Sequence, residues 1–254
     1  MTLAAAHDLP PLIPLLANEV RWGLLRALIP GDRQVNELVE LARQPMNLVS
    51  YHLKKLREVG IVVTRRSEAD ARDVYYSLDM ARLHALYVQT GAALHPGFTT
   101  AGSSAATGPL HKPLRVLVLC THNSARSQMA EGFFRHMAPE SVTVTSAGSH
   151  PTRVHRDAIA AMAAFGVDIS SYQSKGFDAV QGKPDYVITV CDKAREICPT
   201  FSSGTQQLHW GFPDPTIIAD AAERTHAFAH TAQQLRTRIS YFMAALPAAT
   251  EDTE

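Results

Sequence analysis

The chain has 254 residues, enough for one large domain or two ordinary ones, and its 46% hydrophobic content is that of a globular protein. Its 24 basic residues balance 24 acidic ones, so no global field draws it to nucleic acid or membrane, and charge has to be read locally. The 3 cysteines all follow residue 119 and argue against a structural disulfide framework. The start, MTLAAAHDLPPLIPLLANEV, lacks a basic segment and a small-residue cleavage site, and Pro10, Pro11 and Pro14 interrupt it, so it does not read as a signal peptide. No apolar run nears the roughly 20 residues of a membrane span, and a cytoplasmic protein without membrane contact is expected.

Apolar residues at Leu16, Val20, Leu24, Leu25 and Leu28 predict a helix over Leu12 to Ile29, ended by Pro30-Gly31-Asp32. Further helices are predicted over Val35 to Ala42 and from about Met46 to Val59, the latter stopped by Gly60. Ile61 to Thr64 and Val74 to Leu78 read as strands around a polar turn, Arg65 to Asp73, and Met80 to Leu94 as a last helix. His95 to Pro113, HPGFTTAGSSAATGPLHKP, is rich in Gly, Ser, Thr, Ala and Pro and has no hydrophobic periodicity, which is the composition of a flexible linker. The expected division is a first domain over 10–94, a linker over 95–113 and a second domain over 114–247.

The segment Asn47 to Val62, NLVSYHLKKLREVGIV, closely resembles the ArsR-type winged helix-turn-helix repressors. The resemblance implies a recognition helix with Leu48, Leu53, Leu56 and Val59 toward the core. Asn47, Ser50, Tyr51, His52 and Lys54 are then free to face a major groove. Arg65, Arg66 and Arg72 in the wing suit phosphate contacts, and basic residues outnumber acidic ones between Arg43 and Arg72. The implied partner is double-stranded operator DNA, bound by a homodimer formed through Leu12 to Leu28 and Met80 to Leu94. Arsenic-sensing members often carry a cysteine pair near the second or third helix. Asn36 to Leu41 has none, which excludes thiol capture of arsenite in this domain. No sensing, another site, or the second domain's cysteines stay open, as does a helical domain for protein contacts.

After the linker, strands and helices alternate. Leu114 to Leu119, Val142 to Thr145, Tyr186 to Val190 and Gln207 to Trp210 read as strands. Helices are expected from about Ser127, over about Arg156 to Phe165 and over Ala219 to Leu246. The fold class expected is a mainly helical winged helix-turn-helix followed by an α/β domain with a central parallel four-stranded sheet. In such sheets ligands bind at the carboxyl ends of the strands.

Cys120 directly follows the first of these strands, and Arg126 stands at the start of the next helix. The backbone N–H groups of Thr121, His122, Asn123, Ser124, Ala125, Arg126 and Ser127 can converge on one tetrahedral oxyanion, aided by the helix amino terminus. Arg126 offers a planar fork for two of its oxygens. The same field favours the thiolate of Cys120, the nucleophilic form. Cys191 ends another strand of the sheet and can lie near the other strand ends. Cys198 follows beyond a short polar stretch, Asp192 to Ile197, and the two can bridge only if that segment folds back or rearranges.

CTHNSARS followed by QMAEGFF resembles the low-molecular-weight tyrosine phosphatase superfamily, and more narrowly the thioredoxin-coupled arsenate reductases built on that fold. The resemblance covers roughly Leu114 to Leu246. Val187 to Cys191 followed by Cys198 matches the pair of resolving cysteines, and HWGFPDP, His209 to Pro215, matches the segment carrying the general acid, here Asp214. It implies that Cys120 attacks arsenate held by the loop and Arg126, and that Asp214 protonates the leaving oxygen. Cys191 then attacks Cys120 and Cys198 attacks Cys191, leaving a disulfide for thioredoxin to reduce. No bound cofactor or metal is expected.

The family loop often has Gly at His122 and Cys at Ala125. The His122 ring is expected to point to solvent, and Ala125 removes a spare thiol. Some relatives bind potassium near the loop through Asn, Glu, Ser and Asp. Asn123, Glu131 and Ser146 match three of these, but Lys175 stands in the fourth place, so its ammonium is expected to replace the cation. The alternative is a phosphatase using the same loop and Asp214, with Cys191 and Cys198 idle. Such phosphatases usually place an aromatic residue soon after the Asp-Pro pair, where Thr216 to Ala219 offer none.

Overall fold

The computed structural model describes residues 9–94, 114–138, 142–201 and 203–246. The chain divides into two compact units, Met1–Ala105 and Ala106–Glu254, and the expected linker at 95–113 lies outside the described residues.

The first unit runs α1 (Leu12–Leu16), α2 (Glu19–Leu28), β1 (Arg33–Gln34), α3 (Val35–Ala42), α4 (Met46–Glu58), β2 (Val62–Arg66), β3 (Val74–Leu78) and α5 (Met80–Leu94). The single helix expected over Leu12 to Ile29 is two. Asn18 takes an extended conformation and its side chain accepts from Arg21 N, capping α2 and ending any continuation of α1. A reciprocal capping box between Gln34 and Glu37 starts α3, and left-handed Arg43 ends it. The strands form a small antiparallel sheet of order β1-β3-β2. β1 escaped sequence reading because two residues carry no periodicity. Its pairing with Tyr75 and Tyr76 ties the start of the helix-turn-helix, α3 and α4, to the wing. Leu24, Leu28, Leu38, Leu53, Leu56 and Ile61 are fully buried and form the centre of this unit's core.

The second unit runs β4 (Leu114–Cys120), α6 (Arg126–Met137), β5 (Val142–Gly148), α7 (Arg156–Ala163), β6 (Tyr186–Thr189), α8 (Asp192–Glu196), β7 (Gln206–His209) and α9 (Ala221–Ala244). The sheet is parallel throughout, in the order β5-β4-β6-β7, as the alternation of strands and helices required. β4 sits inside it and buries Val116 to Cys120 as a continuous run, the pattern of a strand covered on both faces. Around it pack Met129, Phe133, Phe134, Val187, Ile188, Trp210, Phe228 and Leu235. Cys120 aligns with Gly148 on β5 and Leu119 with Thr189 on β6, which itself aligns with His209 on β7. The carboxyl ends of all four strands therefore share one edge. Cys191 lies two residues beyond Thr189 on that edge. No described helix is long and apolar enough to cross a membrane.

Candidate active site and recognition helix

The loop between β4 and α6 is shaped from outside. Thr121 O accepts from His150 N at 2.8 Å, His122 O from Thr152 N at 3.0 Å, and Ser124 O from His155 N at 2.8 Å. Asn123 O accepts from Ser174 Oγ at 2.6 Å and Gln128 Nε2 at 3.0 Å. In a trans peptide the carbonyl and the following N–H point opposite ways. Four carbonyls drawn outward therefore turn the N–H groups of His122, Asn123, Ser124 and Ala125 inward. One of them shows where inward is: Asn123 N donates to Cys120 Sγ at 3.1 Å. Asn123 takes the left-handed conformation, φ 46°, to make the bend. Gly148 lets the loop lie against β5, since a Cβ there would stand 2.6 Å from Thr121 O and 2.8 Å from Asn123 N.

The Asn123 side chain fixes the direction of a buried proton network. Its Oδ1 accepts from Lys175 N at 2.7 Å and Gln128 Nε2 at 2.9 Å. Its amide nitrogen therefore donates, to Ser127 Oγ at 2.9 Å and to Ser146 Oγ at 2.7 Å. Each serine is then left to donate onward. Ser146 donates to Glu131 Oε2 at 2.5 Å, and the Ser127 hydroxyl meets Cys120 Sγ at 2.9 Å. With the Ser127 hydroxyl donating, the Cys120 sulfur receives two donors, the arrangement a thiolate needs.

Arg126, the first residue of α6, is 5% exposed. Its Nη1 donates to Phe212 O at 2.6 Å and its Nη2 to Asp214 Oδ2 at 2.7 Å. Asp214 is tied from its other oxygen, which accepts from Thr216 N at 3.0 Å and Thr216 Oγ1 at 2.8 Å. Arg126 and the loop N–H favour the Cys120 thiolate, as expected, but they work against burial. Burial is the largest effect and pushes the Cys120 thiol up. The Ser127 hydroxyl opposes it, the neighbouring Cys191 adds to it, and Arg126 and Asn123 N–H oppose it more weakly. Much of the Arg126 charge is engaged by Asp214.

Thr121 is half-buried, and its hydroxyl lies 3.4 Å from Cys191 Sγ. Cys191 is buried, forms the N-cap of α8 and accepts from Ala194 N at 3.4 Å. α8 occupies most of the polar stretch between Cys191 and Cys198. Cys198, half-buried, follows it, and burial pushes its thiol up. All three thiols are free. His122 is exposed, as expected, and Ala125 is buried under the loop.

The residues matching the potassium site do not fit a cation here. Lys175 Nζ lies 3.3 Å from Glu131 Oε2, and Arg135 Nη2 lies 2.8 Å from Glu131 Oε1. Two positive side chains already neutralise the one carboxylate. Among the described residues no three His, Cys, Asp or Glu side chains cluster as metal ligands.

In the first unit, α4 buries Val49, His52, Leu53 and Leu56, one face at helical spacing. Leu48 and Val59, expected in the core, are only half-buried. Asn47, Ser50, Tyr51 and Lys54 are exposed. His52 does not join them: it is 6% exposed, its ring lies 3.4 Å from Arg21 Nη1, and burial, then Arg21, lowers its pKa. The expectation that it faces a groove is corrected, because it falls on the buried stripe. Arg65 is corrected likewise. Strand alternation puts it opposite in face to Arg66. It pairs with buried Asp32 at 3.4 Å and lies over the Tyr75 ring at 4.7 Å. Arg66 and Arg72 are exposed on the wing, with Arg72 also paired to Asp70 at 2.6 Å.

The second unit is thus an α/β domain whose strand-end loop carries a buried cysteine, inward-facing N–H groups and an arginine, the constellation of an oxyanion-handling enzyme. The family described as low molecular weight phosphotyrosine protein phosphatase matches residues 115–251, and the chain belongs to that family. A helix-turn-helix domain matches residues 16–65, so the chain is a fusion of the two. An arsenate reductase of Halalkalibacterium halodurans is 36% identical over 129 residues, 50% of this chain and 93% of that protein. Arsenate reductase 2 of Staphylococcus saprophyticus is 41% identical over 101 residues, 39% of this chain and 77% of that protein. A solved structure described as an arsenate reductase in oxidized state is 30% identical, with a TM-score of 0.46, over 51% of this chain and 96% of that one.

Proposed function

We propose that the second unit reduces arsenate to arsenite through Cys120, Cys191 and Cys198. The observation that carries the reading is the contact of Thr121, inside the oxyanion loop, with the Cys191 thiol at 3.4 Å, which brings a second thiol to the loop's first residue. The names of the relatives support the substrate. Arsenate enters the loop against the N–H groups and Arg126, and Cys120 Sγ attacks arsenic while Asp214 gives a proton to the departing oxygen, which leaves as water. Cys191 Sγ then attacks Cys120 Sγ. The sulfur–arsenic bond breaks, its electron pair stays on arsenic, arsenite departs and a disulfide forms. Cys198 attacks Cys191 in turn, and thioredoxin reduces the resulting Cys191–Cys198 bond. The reaction needs no bound cofactor.

The first unit is proposed as an ArsR-type regulator of arsenic resistance in the cytoplasm. It would hold operator DNA as a homodimer through Asn47, Ser50, Tyr51 and Lys54 of α4, with phosphate contacts from Arg66. The test of the enzyme is arsenate-dependent NADPH oxidation with thioredoxin and thioredoxin reductase, on the wild type and Cys198→Ser. Multiple turnover lost in the variant supports the relay. Hydrolysis of an aryl phosphate needing Cys120 alone, with no turnover of arsenate, would establish the phosphatase reading instead.

A further inference from the structure

One buried polar chain has no part in the chemistry above, yet it ends one residue from Cys191. Asp192, the first residue of α8, is 1% exposed, and its Oδ1 lies 3.0 Å from His209 Nε2. His209, the last residue of β7, is 6% exposed, and its Nδ1 lies 2.9 Å from Thr189 Oγ1 on β6. Thr189 and His209 face each other in the parallel ladder, and Trp210 N continues it to Thr189 O at 2.8 Å. The imidazole is therefore held at both nitrogens, between two strand ends and the start of α8. A carboxylate this deeply buried persists only with partners for its charge. Here a partner is fixed by the sheet itself, so the sheet dictates where Asp192, and with it the adjoining Cys191, can stand.

We infer that His209, acting through Asp192, is a positioning residue that holds Cys191 against the oxyanion loop for its attack on Cys120. The inference rests on the three-cysteine reading. The pair pins the backbone after Cys191, while the Thr121 hydroxyl meets the thiol from the loop side. Neither His209 nor Asp192 belongs to the oxyanion loop, so the effect is expected at the disulfide-forming step.

The experiment uses the full chain with Cys198→Ser, which stops the relay at the Cys120–Cys191 disulfide. One equivalent of arsenate is added, and the disulfide is timed by acid quench, alkylation and mass measurement. Phosphate affinity, read by calorimetry, reports the integrity of the loop. His209→Ala is expected to slow disulfide formation by about tenfold to a hundredfold, the scale of a misplaced reacting group, with phosphate affinity unchanged. His209→Gln, whose amide nitrogen can still donate to Asp192, is expected to recover most of the rate. An unchanged rate in His209→Ala overturns the inference, as does a parallel loss of phosphate affinity or a failure of His209→Gln to rescue. If the Cys198→Ser parent itself forms no Cys120–Cys191 disulfide with arsenate, the relay is wrong and the inference falls with it.

Discussion

Replacing Ser127 by Ala isolates one hydrogen bond. The Asn123 amide donates to Ser127 Oγ at 2.9 Å, so the Ser127 proton is directed to Cys120 Sγ, also at 2.9 Å. Among the effects opposing burial at Cys120, this hydroxyl is the largest. A hydrogen bond to a charged group contributes about 1.5–3 kcal/mol. The sign follows from which form accepts the bond. The thiolate loses a donor and the thiol loses little, so the Cys120 pKa rises further and reactivity moves to higher pH. At fixed neutral pH the thiolate fraction falls roughly ten- to hundredfold. The assay is the pH dependence of iodoacetamide alkylation in a Cys191→Ser, Cys198→Ser background, where Cys120 is the only thiol left. A midpoint that stays put or moves down would refute the proton direction assigned to the Asn123 network.

Closing a Cys191–Cys198 disulfide is expected to unwind α8: its five residues alone rise about 7.5 Å at 1.5 Å each, already beyond the roughly 7 Å between Cα atoms that a disulfide tolerates. Hydrogen exchange should show lost amide protection over 192–197 in the oxidised chain, and full protection there would contradict it. Potassium added at constant ionic strength is expected to leave arsenate turnover unchanged, because Lys175 already lies 3.3 Å from Glu131; a clear rise would refute this. His52→Ala is expected to destabilise the first unit by about 1–3 kcal/mol in thermal or urea unfolding, as a buried contact to Arg21 is lost. A loss of DNA affinity at unchanged stability would return His52 to the binding face. Cleavage near Gly102 is expected to give two pieces that fold separately, one keeping DNA affinity and the other turnover.

What the sequence shows and hides divides along physical lines. The strands of the second unit are legible because β4 and β6 are nearly unbroken apolar runs, and Cys120 and Arg126 are legible because they bracket a strand-to-helix turn. α8 is not. Asp192 to Glu196 has no apolar periodicity, and the helix depends on Cys191 as its cap and on the burial of Asp192 and Ala194. The break at Asn18 is likewise a tertiary and capping effect inside a segment whose spacing reads as one helix. His52 and Arg65 mislead for a shared reason. Polar residue type suggests an outward side chain, but position on the helix stripe or strand face decides, and each found a partner, half-buried Arg21 or buried Asp32. Gly148 could be flagged only as a glycine ending a strand; what it accommodates, the carbonyl of Thr121, is set by the fold.

Arg126 and Asp214 hold each other, and that pairing bears on the acid role proposed for Asp214. Arg126 is committed at both terminal nitrogens, to Phe212 O and to Asp214 Oδ2. A tetrahedral oxyanion entering the loop competes for the Nη2 donor, since a fork that holds two oxygens has to turn both nitrogens to them. Asp214 does not leave when displaced, because Thr216 holds its other oxygen through both N–H and hydroxyl. In the proposed reaction, the oxygen released from Arg126 is the one that turns toward the anion. On the proposed mechanism, binding the oxyanion and presenting the acid would be one rearrangement, with Arg126 exchanging one partner for another and Thr216 as the fixed point.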